Sequence, residues 1–197
     1  VYKRQTLYLG TSYSTGLGKS YIAAYTIGIN LWFLGAFVID GYASAGNILS
    51  GKLYGAKQYN ELLNLGKRLI KYGIIIGAIL CVVGFLLYNH IGRIFTQDIE
   101  VLKEFKKVFW IILIMQPFCA LAFIFDGIFK GLGKMKTLRN ILLLSTFFVF
   151  VPVLYALDYF NWQLYAVFIG ILVWIIARGL PLIAIFWKMF STQAENK

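Results

Sequence analysis

The chain has 197 residues, of which 60% are hydrophobic and 18% aromatic, whereas only 14% are charged. Water-soluble domains carry roughly a quarter charged residues, so this composition excludes a soluble globular protein. The net charge of +11 does not indicate nucleic-acid binding, because long apolar runs separate the Lys and Arg residues and no basic face forms. The composition therefore predicts an integral membrane protein.

Apolar segments of sufficient length to cross a bilayer, which takes about 20 helical residues, recur along the chain. They are residues 23–50, 72–88, 108–129, 141–157 and 164–187. Residues 6–17 are apolar and aromatic but too few to cross, so we expect them to be the end of a truncated span. The polar residues 1–5 predict a non-native leader, and residues 191–197 predict a tail.

The basic residues outside these spans are divided unequally between the two sides of the membrane. Eleven fall on one side and five on the other, and the five are Lys19, Arg93, Lys103, Lys106 and Lys107. Loops rich in Lys and Arg stay in the cytoplasm. We therefore predict a multi-pass protein of the cell inner (plasma) membrane with its C-terminus in the cytoplasm and residues 90–107 outside. In that outer linker, Thr96 is predicted to cap a helix.

A polar face is predicted on the first complete span. Asp40, Ser44 and Asn47 stand at positions i, i+4 and i+7, which share one side of a helix. A charged side chain in a membrane costs about 3 kcal/mol or more, so such residues usually face a cavity or a partner. We predict that these three residues, together with Asn30, line a pathway for a substrate or an ion.

Asp126 and Arg178 are the other ionisable residues inside predicted spans, and they lie at comparable depth in two different spans. We expect an ion pair between them as part of the same pathway. The alternative is that this pair, or a pair of Asp126 with Arg139, only fastens helices together.

Prolines fall inside three of the predicted spans, at Pro117, Pro152 and Pro181. Each removes a backbone hydrogen bond and predicts a kink. The sequence contains no Walker loop, zinc motif or catalytic triad, so we predict neither an enzyme nor a bound metal or cofactor.

Several motifs occur in the order found in one transporter family. The run DGYASAGNILSGKLYGA at residues 40–56 resembles the multidrug and toxic compound extrusion (MATE) family. Two shorter motifs further along are similar to the family in general, and they are Ile94-Phe95-Thr96 and Ala177-Arg178-Gly179. Two others are similar to its DinF-like branch, and they are Asp126-Gly127-Ile128-Phe129-Lys130-Gly131 and Leu138-Arg139-Asn140. The resemblance covers residues 6–190.

The resemblance implies an all-α membrane helix bundle. Residues 6–190 would be the C-terminal lobe of a twelve-helix transporter, the second of two six-helix lobes, with its first helix truncated. Such a transporter exports organic cations or other amphipathic compounds by alternating access, coupled to the entry of protons or sodium. The implied partners are a small-molecule substrate, membrane lipid and the missing N-terminal lobe. The coupling ion stays open, because the acidic residue most associated with coupling in this branch lies in the first lobe.

Two other functions remain open on the sequence. The first is a lipid-linked oligosaccharide flippase of the same superfamily, whose cavity is expected to hold more cationic residues than Arg178 alone. The second is a non-transporting membrane assembly subunit, in which the acidic residues serve only to fasten helices together.

Overall fold

The structure is a computed structural model that describes residues 2–195, with side chains described for residues 5–191. Val1 of the predicted leader and Asn196 and Lys197 of the predicted tail lie outside the described residues. The elements are α1 (Tyr2–Leu17), α2 (Lys19–Gly55), α3 (Tyr59–Leu86), α4 (Ile91–Phe95), α5 (Ile99–Gly131), α6 (Met135–Ser145), a π-helical segment (Thr146–Phe150), α7 (Val151–Tyr159) and α8 (Leu164–Glu195).

Five helical stretches of the described chain are long and apolar enough to cross a membrane. Four of them contain a predicted span in full, and the fifth, Tyr59–Leu86, ends two residues before the end of the span predicted at 72–88. The prediction of an all-α membrane bundle is confirmed. The helices extend beyond the apolar runs. For example, α3 begins at Tyr59 rather than at residue 72, because the amphipathic residues before the apolar run continue the same helix.

The linker between α3 and α5 corrects one local prediction. Asp98, and not Thr96, caps α5. The Oδ1 atom of Asp98 accepts hydrogen bonds from the N–H groups of Glu100 at 2.9 Å and Val101 at 3.4 Å. A carboxylate satisfies these first-turn donors and interacts favourably with the positive end of the helix dipole. Thr96 stands two residues too early and accepts a hydrogen bond from the N–H of Asp98 instead.

Helix α5 is the centre of the bundle and contacts α2, α3, α4, α6 and α8. Most of its side chains are buried, and Phe105 and Phe129 are fully buried. Its exposed apolar residues, Trp110, Ile114 and Phe118, stand four residues apart on one side of the helix. An apolar helix of this kind is expected at the middle of a bundle. The surrounding helices expose apolar side chains on the outer surface, such as Ile79 and Leu86 of α3.

Small residues bring α2 and α5 into close contact. Gly127 of α5 packs on the main chain of Ala43, and Gly131 packs on that of Asn47. A Cβ atom added to Gly51 would lie 3.1 Å from the carbonyl oxygen of Gly131. Residue numbers rise together along this contact, so the two helices are parallel. Close approach of this kind is how membrane helices gain packing energy, since lipid supplies no hydrophobic driving force between them.

The kink predicted at Pro152 takes the form of the π-helical segment between α6 and α7. The N–H of Val151 donates to the carbonyl of Thr146, five residues earlier. Pro152 has no N–H, and its ring would clash with the carbonyl of Phe148, four residues before it in a regular helix. The wider turn relieves this clash. Pro117 and Pro181 lie within α5 and α8, and both helices continue past the proline.

We expect Gly127→Ala to lower the amount of folded protein, because the new Cβ atom would overlap the carbonyl oxygen of Ala43. Overpacking of this kind typically costs about 1–3 kcal/mol. Gly41→Ala on α2 is the matched control, because a Cβ atom there meets nothing within 4 Å. The measurement is the thermal stability of each full-length variant in detergent. Equal stability of the two variants would contradict the proposed packing.

Candidate functional site

A cavity of about 180 Å³ lies between α1, α2, α5 and α8. Helix α2 supplies most of its wall, and Trp32, Ala36 and Asp40 stand four residues apart on one face. Phe33 and Phe37 extend this wall. The other helices contribute Leu7, Phe123, Trp174 and Arg178. The cavity is therefore mostly aromatic, with one carboxylate from α2.

Asp126 of α5 and Arg178 of α8 form the expected ion pair beside this cavity. The Nη2 atom of Arg178 lies 3.3 Å from the Oδ2 atom of Asp126, and the two side chains are 0% and 3% exposed. Arg139, the other partner considered for Asp126, is exposed on α6 and donates hydrogen bonds to the side chain of Asn140. The pair joins the central helix to α8.

The guanidinium group of Arg178 also packs against two rings of the cavity wall. Its Cζ atom lies 5.2 Å from the centroid of Phe123 and 4.8 Å from that of Trp174. Cations are attracted to the faces of aromatic rings, and more strongly when they are removed from water. The Arg178 nitrogens make no hydrogen bond within the described part of the chain. The ion pair and the two rings therefore provide its stabilisation there.

Buried hydrogen bonds fix the two indole rings of the cavity wall. Trp32 donates from Nε1 to the Sγ atom of Cys119 at 3.1 Å. Trp174 donates from Nε1 to the Oγ1 atom of Thr146 at 3.1 Å. Thr146 in turn lies 3.4 Å from the Oγ1 atom of Thr6. Because a buried indole N–H needs an acceptor, these contacts set the orientation of both rings.

The structure divides the polar face predicted on α2. Asp40 is exposed and lines the cavity, whereas Ser44, Asn47 and Asn30 do not line it. Asn30 precedes Trp32 by two residues, or about 200° around the helix, and is exposed on another side. The Ser44 hydroxyl donates to the main-chain carbonyl of Asp40. The predicted residues that come together are thus Asp40, Arg178 and, through Arg178, Asp126.

The aromatic wall was not predicted from the sequence, although a signal was present. Trp32 and Ala36 precede Asp40 by eight and four residues, and Trp174 precedes Arg178 by four. A charged residue that shares its helical face with aromatic residues indicates a cavity with apolar and charged walls, rather than a charge that only holds two helices together.

The chemistry that this arrangement supports is the binding of an organic cation. Ring faces and a carboxylate both attract positive charge, and the apolar walls exclude water. Among the described residues, no group of three His, Cys, Asp or Glu side chains could hold a metal ion.

The family model for MatE matches residues 8–156. The chain belongs to the MatE family. It is 27% identical to DNA damage-inducible protein F of Escherichia coli (strain K12) over 175 residues, which is 87% of this chain and 37% of that protein. It is 28% identical over 128 residues to Protein DETOXIFICATION 45, chloroplastic, of Arabidopsis thaliana, which is 65% of this chain and 23% of that protein.

Solved structures of MATE transporters share the fold. The MATE transporter VcmN of Vibrio cholerae in its bent form matches with a TM-score of 0.86 at 18% identity, over 97% of this chain and 43% of VcmN. A multidrug resistance MATE family transporter of the MOP superfamily, in its outward-facing conformation, matches with a TM-score of 0.89 at 17% identity, over 98% of this chain and 44% of that chain. The chain thus spans less than half of these relatives. The family confirms a multi-pass membrane protein of a transporter family rather than an enzyme.

We expect Asp126→Asn and Arg178→Gln each to destabilise the protein by about 3–5 kcal/mol, because each leaves one buried charge without its partner. The double variant removes both charges and should lose less than the sum of the two. Arg139→Gln is the exposed control. Detergent-stable yield and melting temperature of the full-length protein measure the effect. Two harmless single variants would show that the pair contributes no stability.

Proposed function

We propose that this chain is the C-terminal lobe of a multidrug or organic-cation efflux transporter, and that Asp40 and the aromatic cavity bind the cation during transport. The observation that carries the proposal is the combination of one exposed carboxylate with five aromatic rings around one cavity. The transporter is a secondary active antiporter, driven by inward movement of protons or sodium.

The charges around the cavity favour a cationic ligand. Arg178 is the cationic group of the wall, and Asp126 lies against it at 3.3 Å. The positive charge is therefore largely balanced before a ligand arrives, whereas the carboxylate of Asp40 is exposed. A lipid-linked pyrophosphate would need uncompensated cationic groups, so this balance favours an exporter over a flippase.

Alternating access gives Asp40 a role that depends on conformation. A related MATE family transporter has been solved in outward-facing and inward-facing conformations. In a two-lobe transporter, the N-terminal lobe would cover the α2 face that carries Asp40 and Ser44, while lipid would contact the apolar outer surface of α3. Binding that differs between two states is what couples a ligand to a conformational change.

The orientation proposed for the chain puts the C-terminus and residues 51–71 in the cytoplasm. In a cysteine-free full-length background, we expect Gln97→Cys to react with a membrane-impermeant maleimide on intact cells. Gln58→Cys, at the opposite end of the bundle, should react only after permeabilisation. Both side chains are exposed, so access to the reagent depends on the membrane alone. The reverse labelling pattern would overturn the orientation.

We expect Asp40→Asn to impair cation efflux while leaving the amount of folded protein unchanged, because the side chain is exposed in the lobe and makes no ion pair among the described residues. Asp98→Asn is the matched control. It removes the same charge at the start of α5, and Asn caps a helix about as well as Asp. The readout is ethidium efflux per folded molecule. Normal efflux in Asp40→Asn would exclude this residue from the transport pathway.

A further inference from the structure

We propose that Thr146 is a positioning residue that determines how well the cavity accepts flat aromatic cations, by fixing the indole ring of Trp174. This inference rests on the proposed function, since it concerns the specificity of the same cavity. Thr146 is fully buried and does not line the cavity, so it acts only through its neighbours.

The Trp174 ring connects the interior of the bundle to the cavity. It is 1% exposed, lines the cavity and lies 4.8 Å from the Cζ atom of Arg178. Its Nε1–H group donates to Thr146, which is the hydrogen-bond acceptor for this indole in the described part of the chain. One side chain therefore determines how the ring is presented both to Arg178 and to a ligand.

The π-helical segment provides the acceptor. Thr146 begins this segment, and its carbonyl accepts the five-residue hydrogen bond from Val151. Each residue turns a helix by about 100°. The extra residue in the wide turn therefore rotates α7 about the helix axis relative to α6, and this changes which sides of the two helices face α8. Pro152, which disfavours a regular helix here, is thus part of the reason that Thr146 meets Trp174.

Loss of the Thr146 hydroxyl would leave the indole N–H buried without an acceptor. An indole nitrogen can only donate, so the ring must turn to find another partner or remain unsatisfied. A turned ring no longer presents the same face to a flat ligand. Affinity for planar aromatic cations should therefore fall more than affinity for aliphatic ones.

Thr146→Val tests this, because valine has nearly the same shape but no hydroxyl. Ser145→Ala is the matched control, since among residues 5–191 the buried Ser145 hydroxyl donates to carbonyls of its own helix. In the full-length transporter, we expect Thr146→Val to raise the apparent KM for ethidium about fivefold, the factor that one such hydrogen bond is worth, with little change in maximal rate. The apparent KM for tetrabutylammonium should stay within about twofold. Thr146→Ser should restore wild-type behaviour.

Trp174→Phe separates positioning from a merely structural role. Phenylalanine keeps an aromatic ring but has no N–H, so Thr146→Val should have no further effect on ethidium KM in that background. Equal effects of Thr146→Val with and without the indole would overturn the proposal. So would a Thr146→Val protein in which both cations lose affinity equally.

Indole ¹⁵N–¹H spectra of the full-length protein provide a readout that is independent of transport. The Trp174 signal, assigned by its absence in Trp174→Phe, should shift in Thr146→Val and not in Ser145→Ala. An unshifted signal would refute the hydrogen bond, and a shift with unchanged ethidium selectivity would refute the role in specificity. If the wild-type protein transports neither cation, both the proposed function and the role of Thr146 in specificity are refuted. The spectrum still reports on the hydrogen bond itself.

Discussion

The close contact of α2 with α5 is the constraint on which the cavity depends. Most of the aromatic wall stands on α2, while Phe123 and the buried Asp126 stand on α5. Gly127 and Gly131 let the two main chains meet without intervening side chains. In a membrane, packing of this kind replaces the hydrophobic effect as the force that joins helices. A single methyl group at this contact would move one wall of the cavity relative to the other.

The second constraint is electrostatic. A fully buried arginine is costly in any apolar environment. Within the described part of the chain, this one is held by a carboxylate and two ring faces rather than by a set of hydrogen bonds. This arrangement gives Arg178 two structural consequences. It joins α8 to the central helix. It also packs against the rings of Phe123 and Trp174, both of which line the cavity. Asp40 can then act as the exposed charge of the cavity.

The sequence predicted the features that depend on composition and on rare residues. Average hydropathy is enough to find long apolar helices, and charged residues in apolar runs are so unusual that Asp126 and Arg178 could be paired by depth alone. Helical spacing places Ser44 on the side of α2 that carries Asp40, but it does not report where along that side the cavity ends. Hydropathy does not report which way Asn30 faces, so Asn30 was grouped with Asp40 although it does not line the cavity. The indole rings were missed because a tryptophan in an apolar run looks like any other hydrophobic residue until its N–H acceptor is known.

The length of α2 has a mechanical consequence. Its 37 residues form a rod about 55 Å long, whereas the hydrocarbon core of a bilayer is about 30 Å thick. Both ends must therefore project into the headgroup layers or beyond, where they are not held by lipid tails. If this rod pivots by about 10° around its midpoint, each end moves by about 5 Å, which is close to one helical turn. The residues near the pivot, where Phe37 and Asp40 lie, barely shift. In such a pivot, a helix with these proportions would turn a small rotation at the cavity into a large displacement at both membrane surfaces.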